Sequence, residues 1–134
     1  MKVLRFLALR PFFWDAKVNG STIVNSNTAS DFWSGPYINL LPGNYTATFY
    51  LSSNNVSAQH SGLVSLDVAI GSNATVINST EVYTNNFTSP NEIVTFSLNF
   101  TSSIITTGVQ LRGMFPTGIS QLTLYAISLE QTSG

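Results

Sequence analysis

Apolar and polar residues alternate one by one over several separate stretches of this chain, and this spacing constrains its fold more than any other feature. Residues 45–51, 64–70 and 94–100 each place apolar side chains two positions apart, with mostly polar residues between them. Successive side chains of a β-strand point to opposite faces of a sheet, so each stretch is predicted to be a strand with one buried face. No stretch of helical length shows the three-and-four spacing of an amphipathic helix. The chain is therefore predicted to be all-β.

Turn-forming residues separate these strands at short intervals. Gly and Pro recur between the alternating stretches, as at Pro42-Gly43 and Gly71-Ser72-Asn73. Short strands joined in this way are typical of two antiparallel sheets packed face to face. A chain of 134 residues is long enough for one such core and too short for two. We therefore predict a single domain, a two-sheet antiparallel β-sandwich that covers residues 1–134.

The strand phases also predict which side chains form the core. The side chains expected between the two sheets are Tyr45, Phe49, Leu66, Val68, Phe96, Leu98 and Leu111. Near the C-terminus the apolar phase changes, because Leu122 and Leu124 are followed, out of step, by Ile127. Such a change needs one extra residue in the strand, so we expect a β-bulge near Leu124 or Tyr125.

Charged residues make up only 8% of the chain, and about a third of all residues are Asn, Ser or Thr. Side-chain amides and hydroxyls, rather than charged groups, must therefore make much of the surface hydrophilic. Disordered chains are poor in aromatic residues, whereas this chain is 12% aromatic, so it is predicted to fold. A net charge of −1 leaves no basic patch able to neutralise several phosphates, which excludes nucleic acid as a partner.

Three simple features limit the chemistry of the chain and its relation to a membrane. It contains no Cys, so disulfides, thiolate chemistry and Cys-based metal sites are excluded. No apolar run approaches the roughly 20 residues needed to cross a bilayer, so no transmembrane segment is predicted. Residues 1–11 have a charged start and a short apolar run, which Arg10 and Pro11 interrupt. We interpret this segment as the first strand rather than as a signal peptide.

Asn-x-Ser/Thr sequons, the acceptor pattern for N-linked glycans, are unusually frequent. Their Asn residues are Asn19, Asn44, Asn55, Asn73, Asn78, Asn86 and Asn99. A random order of the same residues would give about three sequons, so the chain has about twice the expected number. Attached glycans would shield a surface that has little charge of its own. The sequons favour an extracellular or cell-surface glycoprotein, while a polar β-protein rich in Asn and Thr is the alternative explanation.

The segment from Gly35 to Leu51 carries a family resemblance. It reads Gly-Pro-Tyr-Ile-Asn-Leu-Leu-Pro-Gly-Asn-Tyr-Thr-Ala-Thr-Phe-Tyr-Leu, in which a Leu, a small turn and a Gly precede alternating Tyr, Phe and Leu. This order resembles carbohydrate-binding-module-like jelly-roll domains of surface or membrane-anchored glycan-processing proteins, here of archaeal type. Similar strands continue to about residue 130. The resemblance implies a jelly-roll β-sandwich that is not an enzyme and that binds sugars.

The resemblance also bears on cofactors and on the ligand. Some modules of this kind hold a structural calcium ion, but this chain lacks a clear acidic cluster at its ends. We therefore predict no cofactor and no metal site. A neutral glycan is the expected ligand, because isolated charges give little long-range attraction for an anionic polymer.

Sugar binding needs an exposed aromatic ring to stack on a pyranose and polar groups to bond its hydroxyls. Trp33 precedes a Gly-Pro turn and Tyr50 lies on the polar phase of its strand, so both are candidates, with core packing as the alternative for Trp33. Asp67 and Arg112 are isolated charges on the polar phases of apolar strands. They are predicted either to pair across the sheet or to line the sugar site. These four residues are the candidate ligand-binding residues.

Catalytic groups are sparse in this sequence. The one histidine, His60, lies in a polar turn, and six carboxylates are scattered along the chain. A glycosidase would need two carboxylates facing each other across a cleft, and no motif pairs them here. No catalytic residue is predicted.

A second hypothesis fits the same sequence. Low charge, dense sequons and an apolar N-terminal segment also suit a glycosylated structural subunit of a surface layer, a pilus-like filament or a virion. In that case residues 3–14 could leave their own domain and complete the sheet of a neighbour. The partners would then be neighbouring surface-protein subunits rather than a glycan.

Overall fold

A computed structural model of the chain describes residues 2–7, 18–19, 22–25, 27–28, 30–57 and 59–133. The strands in these ranges are β1 Lys2–Leu7, β2 Val18–Asn19, β3 Thr22–Asn25, β4 Asp31–Trp33, β5 Pro36–Leu40, β6 Gly43–Ser53, β7 Gly62–Ile70, β8 Thr75–Tyr83, β9 Val94–Ser102, β10 Thr106–Met114 and β11 Leu122–Ser133. The helical structure in the same ranges is a single 3-10 turn at Thr84–Asn86. The described residues include no helix of the length and apolarity that a membrane span requires.

One sheet has six strands and is organised around β11 and β6. Its order is β2-β3-β11-β6-β9, and β1 also pairs with β11. Both β3 and β1 lie on the edge of β11 that faces away from β6, because β3 pairs with residues 122–124 and β1 with residues 126–131. The first strand predicted near the N-terminus is therefore confirmed for Lys2–Leu7.

The other sheet has five strands in the order β4-β10-β7-β8, and β5 also pairs with β10. All pairings between these strands are antiparallel. Buried side chains from both sheets form one continuous hydrophobic core. The predicted all-β architecture, a two-sheet antiparallel sandwich, is confirmed.

The predicted core side chains lie between the sheets, with one partial exception. The buried ones are Tyr45, Phe49, Leu66, Val68, Leu98 and Leu111. Phe96 is only partly buried, because it lies on the edge strand β9, where it packs against the core and against Phe87 at 5.9 Å between ring centres. Reading the strand phase thus identified the inward face of each of these strands.

The expected β-bulge is present in β11. The pairing between β11 and β6 slips between Leu124 and Ala126. This slip lets both Leu124 and Ile127 reach the core, while Tyr125 stays partly exposed with its hydroxyl 2.8 Å from that of Ser52.

The structure also bears on the segment that could complete a neighbouring subunit's sheet. Residues 3–7 of this segment belong to β1, which pairs with β11 of the same chain. Residues 8–14 lie outside the described residues.

Candidate functional site

Trp33 does not present its ring to solvent. The side chain is 0% exposed and lies in the core, with its ring centre 6.1 Å from that of Phe49. Its indole nitrogen donates a hydrogen bond of 2.7 Å to the backbone carbonyl of Leu111. The interpretation of Trp33 as a sugar-stacking residue is therefore wrong, and the alternative of core packing is correct.

The reason lies in a strand pairing that the local sequence does not reveal. Asp31–Trp33 form the strand β4, and Trp33 pairs with Gly113 of β10. A Cβ atom at Gly113 would lie only 2.4 Å from the nearest carbon of the Trp33 ring. The absence of a side chain at Gly113 thus provides the space that the indole fills. A glycine inside a strand was the one signal of this close approach.

Tyr50 lies on the opposite side of the sandwich from Asp67 and Arg112. It is partly exposed on β6 between the buried Phe49 and Leu51, so it faces outward from the six-stranded sheet. Asp67 on β7 and Arg112 on β10 face outward from the five-stranded sheet, where they are direct register partners. The structure therefore brings together only two of the four candidate residues. A binding role for Tyr50 stays a prediction about a separate surface.

Asp67 and Arg112 form a two-point ion pair across neighbouring strands. Nε of Arg112 donates to one carboxylate oxygen at 2.8 Å, and Nη2 donates to the other at 2.9 Å. The side-chain hydrogen bonds to Asp67 raise the pKa of Arg112. Partial burial lowers it, and electrostatic interactions with Asp67, Tyr37 and Asp31 raise it. The predicted pairing across the sheet is confirmed, and Arg112 is shown to lie near Tyr37 and Asp31.

Arg112 also lines a groove of about 570 Å³ beside the outer face of the five-stranded sheet. This volume is within the range of small-molecule sites. The polar residues that line it include Asp31, Ser34, Tyr37, Thr107, Gln110 and Arg112. Gly71, Ala74 and Gly108 also line it, and their small side chains leave the space open. We call this feature the Tyr37 groove.

Tyr37 supplies the groove with an exposed aromatic ring. Its side chain is 48% exposed, and its backbone adopts the left-handed region with φ 61°. That region is uncommon for an aromatic residue, and such backbone conformations concentrate at ligand sites, where surrounding contacts hold them. The sequence reading missed Tyr37, although its position directly after Gly35-Pro36 signals an irregular backbone.

The backbone that precedes Tyr37 is held against β10. The carbonyl of Gly35 accepts a hydrogen bond of 2.7 Å from the amide of Leu111. The amide of Gly35 donates at 3.3 Å to the side-chain oxygen of the buried Gln110. Pro36 and Ile38, on either side of Tyr37, also pair with β10, so the backbone that carries the Tyr37 ring is held against this strand. A backbone held in this way lowers the entropic cost of binding.

The groove offers hydrogen-bonding groups with little net charge. Two of the five N–H groups of Arg112 bond Asp67, and the described part of the chain gives the other three no partner. Asp31 and the hydroxyl of Thr107 supply acceptors. Because Asp67 neutralises Arg112, Asp31 leaves about one negative charge at the groove. This combination suits a neutral ligand that carries several hydroxyls.

His60 lies at the other end of the sandwich, in the loop before β7. It is exposed, its ring centre is 3.7 Å from that of Tyr83, and its Nδ1 is 3.0 Å from the amide oxygen of Asn85. Among the described residues, no three His, Cys, Asp or Glu side chains cluster as metal ligands would.

The structure separates the sequons into groups. The exposed sequon residues are Asn44, Asn55, Asn73, Asn86 and Asn99. The side chain of Asn19 is not among those that the structure describes. Asn78 is partly buried, and its amide nitrogen donates a hydrogen bond of 2.7 Å to the carbonyl of Asn99, linking the edge strands of the two sheets.

In protein made by a glycosylating host, we expect Asn78 to be less occupied than the exposed Asn55 and Asn73. The amide nitrogen that would accept the glycan at Asn78 already bonds β9, and a bulky glycan there would push the two edge strands apart. Peptide mapping by mass spectrometry measures occupancy at each site. Full occupancy of Asn78, or a polypeptide with no attached mass, would contradict this expectation.

Comparison with known proteins gives matches in structure. Neither a protein-family model nor a curated protein matches the chain. The C-terminal CBM6 of LamC, a marine laminarinase from Zobellia galactanivorans, matches with a TM-score of 0.66, 18% identity and coverage of 97% of this chain and 100% of that chain. The CBM36-1 domain of a multidomain xylanase from the hindgut metagenome of Trinervitermes trinervoides matches with a TM-score of 0.64, 10% identity and 98% coverage of both chains. The module CBM6cm-2 of Cellvibrio mixtus lichenase 5A, in complex with cellotriose, matches with a TM-score of 0.59, 12% identity and coverage of 98% of this chain and 99% of that chain.

These matches cover nearly all of the chain and establish its fold. The two antiparallel sheets form a jelly-roll sandwich of the kind found in carbohydrate-binding modules. The fold implied by the sequence resemblance is therefore confirmed. At identities of 10% to 18% the likeness concerns the fold and does not identify a ligand.

Proposed function

We propose that this chain is a non-catalytic carbohydrate-binding module of a larger extracellular or cell-surface protein, and that it holds a neutral glycan in the Tyr37 groove. The observation that carries the proposal is the exposed Tyr37 ring beside the paired Arg112 in a groove fixed by β10. The fold supports it, because the matching structures include modules of a laminarinase, a xylanase and a lichenase, the last in complex with cellotriose.

The groove suits a pyranose for physical reasons. One face of a sugar ring consists of C–H groups and can stack on the flat ring of Tyr37. If this contact is comparable to that between two aromatic rings, it contributes about 0.5–1.5 kcal/mol. The ring hydroxyls both donate and accept hydrogen bonds. The remaining donors of Arg112 and the carboxylate of Asp31 can satisfy them through charge-assisted bonds.

The distribution of sequons favours the same face of the sandwich. Asn44 and Asn99 face outward from the six-stranded sheet and would carry their glycans there. The strands β7 and β10, which form the centre of the five-stranded sheet, contain no sequon. Glycans on Asn44 and Asn99 would therefore leave the outer face of the five-stranded sheet open to a ligand.

Replacing Tyr37 with alanine should weaken glycan binding roughly fivefold or more, because an aromatic stacking contact contributes about 1 kcal/mol. The side chain is half-exposed and lies outside the core, so the fold should stay intact. An array of neutral oligosaccharides that includes cellotriose would identify the tightest ligand. Calorimetric titration of that ligand then measures the loss.

Two variants control this experiment. Tyr37→Phe keeps the stacking surface and should bind within about twofold of the unaltered protein, unless the hydroxyl contacts the ligand. Tyr50→Ala removes a tyrosine from the opposite face and should leave binding unchanged. Equal affinity for the Tyr37→Ala variant, or a loss confined to Tyr50→Ala, would move the binding site to another surface.

A structural subunit remains the second candidate function, and one observation favours it. Leu41, Ile104 and Ile105 are 64%, 70% and 63% exposed at one end of the sandwich, where they would suit contact with another protein. A sizing experiment at increasing concentration separates the two functions. Assembly into larger particles together with no array ligand would favour the structural subunit.

A further inference from the structure

The turn that forms one side of the Tyr37 groove carries a sequon. Gly71, Ser72 and Ala74 line the groove. The residue between the last two is the exposed Asn73, and Thr75 completes its sequon. An acceptor for an N-linked glycan therefore stands at the rim of the groove.

The position of this acceptor is fixed by backbone contacts. The amide of Gly71 donates a hydrogen bond of 3.1 Å to the carbonyl of Thr107 on β10. The amide of Ala74 donates at 3.2 Å to the carbonyl of Gly71, which closes the turn. A glycan attached between these residues would begin from a defined point beside the groove, rather than from the tip of a loop held only by its ends.

The other described sequon sites lie elsewhere on the molecule. Asn55 and Asn86 are at the opposite end of the sandwich, Asn55 in the loop after β6 and Asn86 in the 3-10 turn after β8. Asn44 and Asn99 face outward from the six-stranded sheet. Asn78 is partly buried, and its amide bonds Asn99 on β9. Among the sequon sites described as exposed, Asn73 is thus the one whose glycan would reach the groove.

We propose that Asn73 carries an N-linked glycan that lies across the Tyr37 groove and restricts access to it. This inference rests on the proposed function, because the glycan regulates access to the same binding site. Attachment of the glycan joins the amide nitrogen of Asn73 to the anomeric carbon of an activated glycosyl phosphate donor. The bond between the anomeric carbon and the phosphate oxygen breaks, and the phosphate leaves with the electron pair. The amide nitrogen loses one proton. The attached sugars carry the same hydroxyls as a ligand, so they compete for Tyr37 and Arg112.

The expected size of the effect follows from the fraction of time that the groove is open. Apparent affinity falls in proportion to that fraction, so a glycan that covers the groove for two-thirds of the time would weaken binding about threefold. Removing the glycan should restore both ligand affinity and solvent access to Tyr37 by the same factor.

The test uses the full chain secreted by a glycosylating host, with two variants that remove the sequon in different ways, Asn73→Gln and Thr75→Ala. Asn55→Gln removes an exposed sequon at the far end and is the matched control. Limited nitration with tetranitromethane, quantified by peptide mapping, reports the exposure of Tyr37 without any ligand. Tyr50 on the opposite face is the internal reference. Calorimetry with the tightest neutral oligosaccharide measures affinity on the same samples.

We expect Tyr37 to be nitrated about threefold faster, relative to Tyr50, in both variants that lack the Asn73 sequon, and affinity to rise by the same factor. Asn55→Gln should match the unaltered protein. Equal nitration of Tyr37 with and without an occupied Asn73 would overturn the proposal, as would an Asn73 that carries no glycan. Protection of Tyr37 in a protein that binds no oligosaccharide would uphold the glycan cover and refute the proposed function. Binding without protection would do the reverse.

Discussion

Replacing Trp33 with alanine should lower the free energy of unfolding by about 3–5 kcal/mol, the cost of removing a large aromatic side chain from a core. The indole is fully buried over Gly113, so its loss leaves a cavity. The carbonyl of Leu111 also loses the donor that bonds it at 2.7 Å. The free energy of unfolding of an ordinary domain is about 5–15 kcal/mol, so this single change would remove a large share of the total stability. Urea denaturation, monitored by far-ultraviolet circular dichroism of the backbone rather than by tryptophan fluorescence, measures the loss of stability.

Two further variants define the origin of this loss. Trp33→Phe keeps much of the apolar volume but removes the donor to Leu111, so it should cost less than Trp33→Ala. Ile104→Ala truncates a side chain that is 70% exposed and should change stability by less than about 0.5 kcal/mol. If Trp33→Ala cost no more than the Ile104 control, the ring would have to lie outside the core, and its role in sugar stacking would have to be considered again.

Features that depend on residue spacing within one strand could be predicted from the sequence. Phe49 and Leu111 are buried as their strand phases indicate, because alternation along a strand determines which side chains share a face. The bulge beside Tyr125 was predictable for the same reason, since a change of phase requires an extra residue. The half-buried Phe96 differs because its strand is at the edge of a sheet, and position within a sheet depends on topology rather than on phase.

The candidate site was harder to predict because it depends on which strands meet. Trp33 is buried because β4 pairs with β10 at Gly113, a contact between residues 80 positions apart that no local pattern records. The backbone that leads to Tyr37 also depends on β10, because Gly35 is bonded to Leu111 and Gln110 of that strand. The two aromatic residues lie four positions apart, yet one fills the core and the other faces the groove.

The pairing of Asp67 with Arg112 was one of two alternatives that the sequence left open, and it has a consequence for stability. Asp67 is only 4% exposed, so its carboxylate depends on Arg112 for solvation. An ion pair with little exposure contributes little when compared with an apolar pair of similar size. Removing one partner alone is costly, because it leaves a charge that neither water nor a counter-ion stabilises.

Arg112→Met should therefore lower the free energy of unfolding by about 3 kcal/mol, the lower end of the range for a buried pair, because the side chains of Arg112 and Asp67 are 13% and 6% exposed. The double variant Arg112→Met/Asp67→Leu removes both charges and should recover most of that stability. Urea denaturation measures both values, and a loss below about 1 kcal/mol in the single variant would show that water solvates Asp67 without its partner.

The double variant also separates folding from binding. If the guanidinium contacts the glycan, the double variant should bind the glycan at least about fivefold more weakly than the unaltered protein, although its stability is restored, because a hydrogen bond from a charged donor is lost. Calorimetry measures this affinity. Unchanged affinity would show that Arg112 is not part of the binding site.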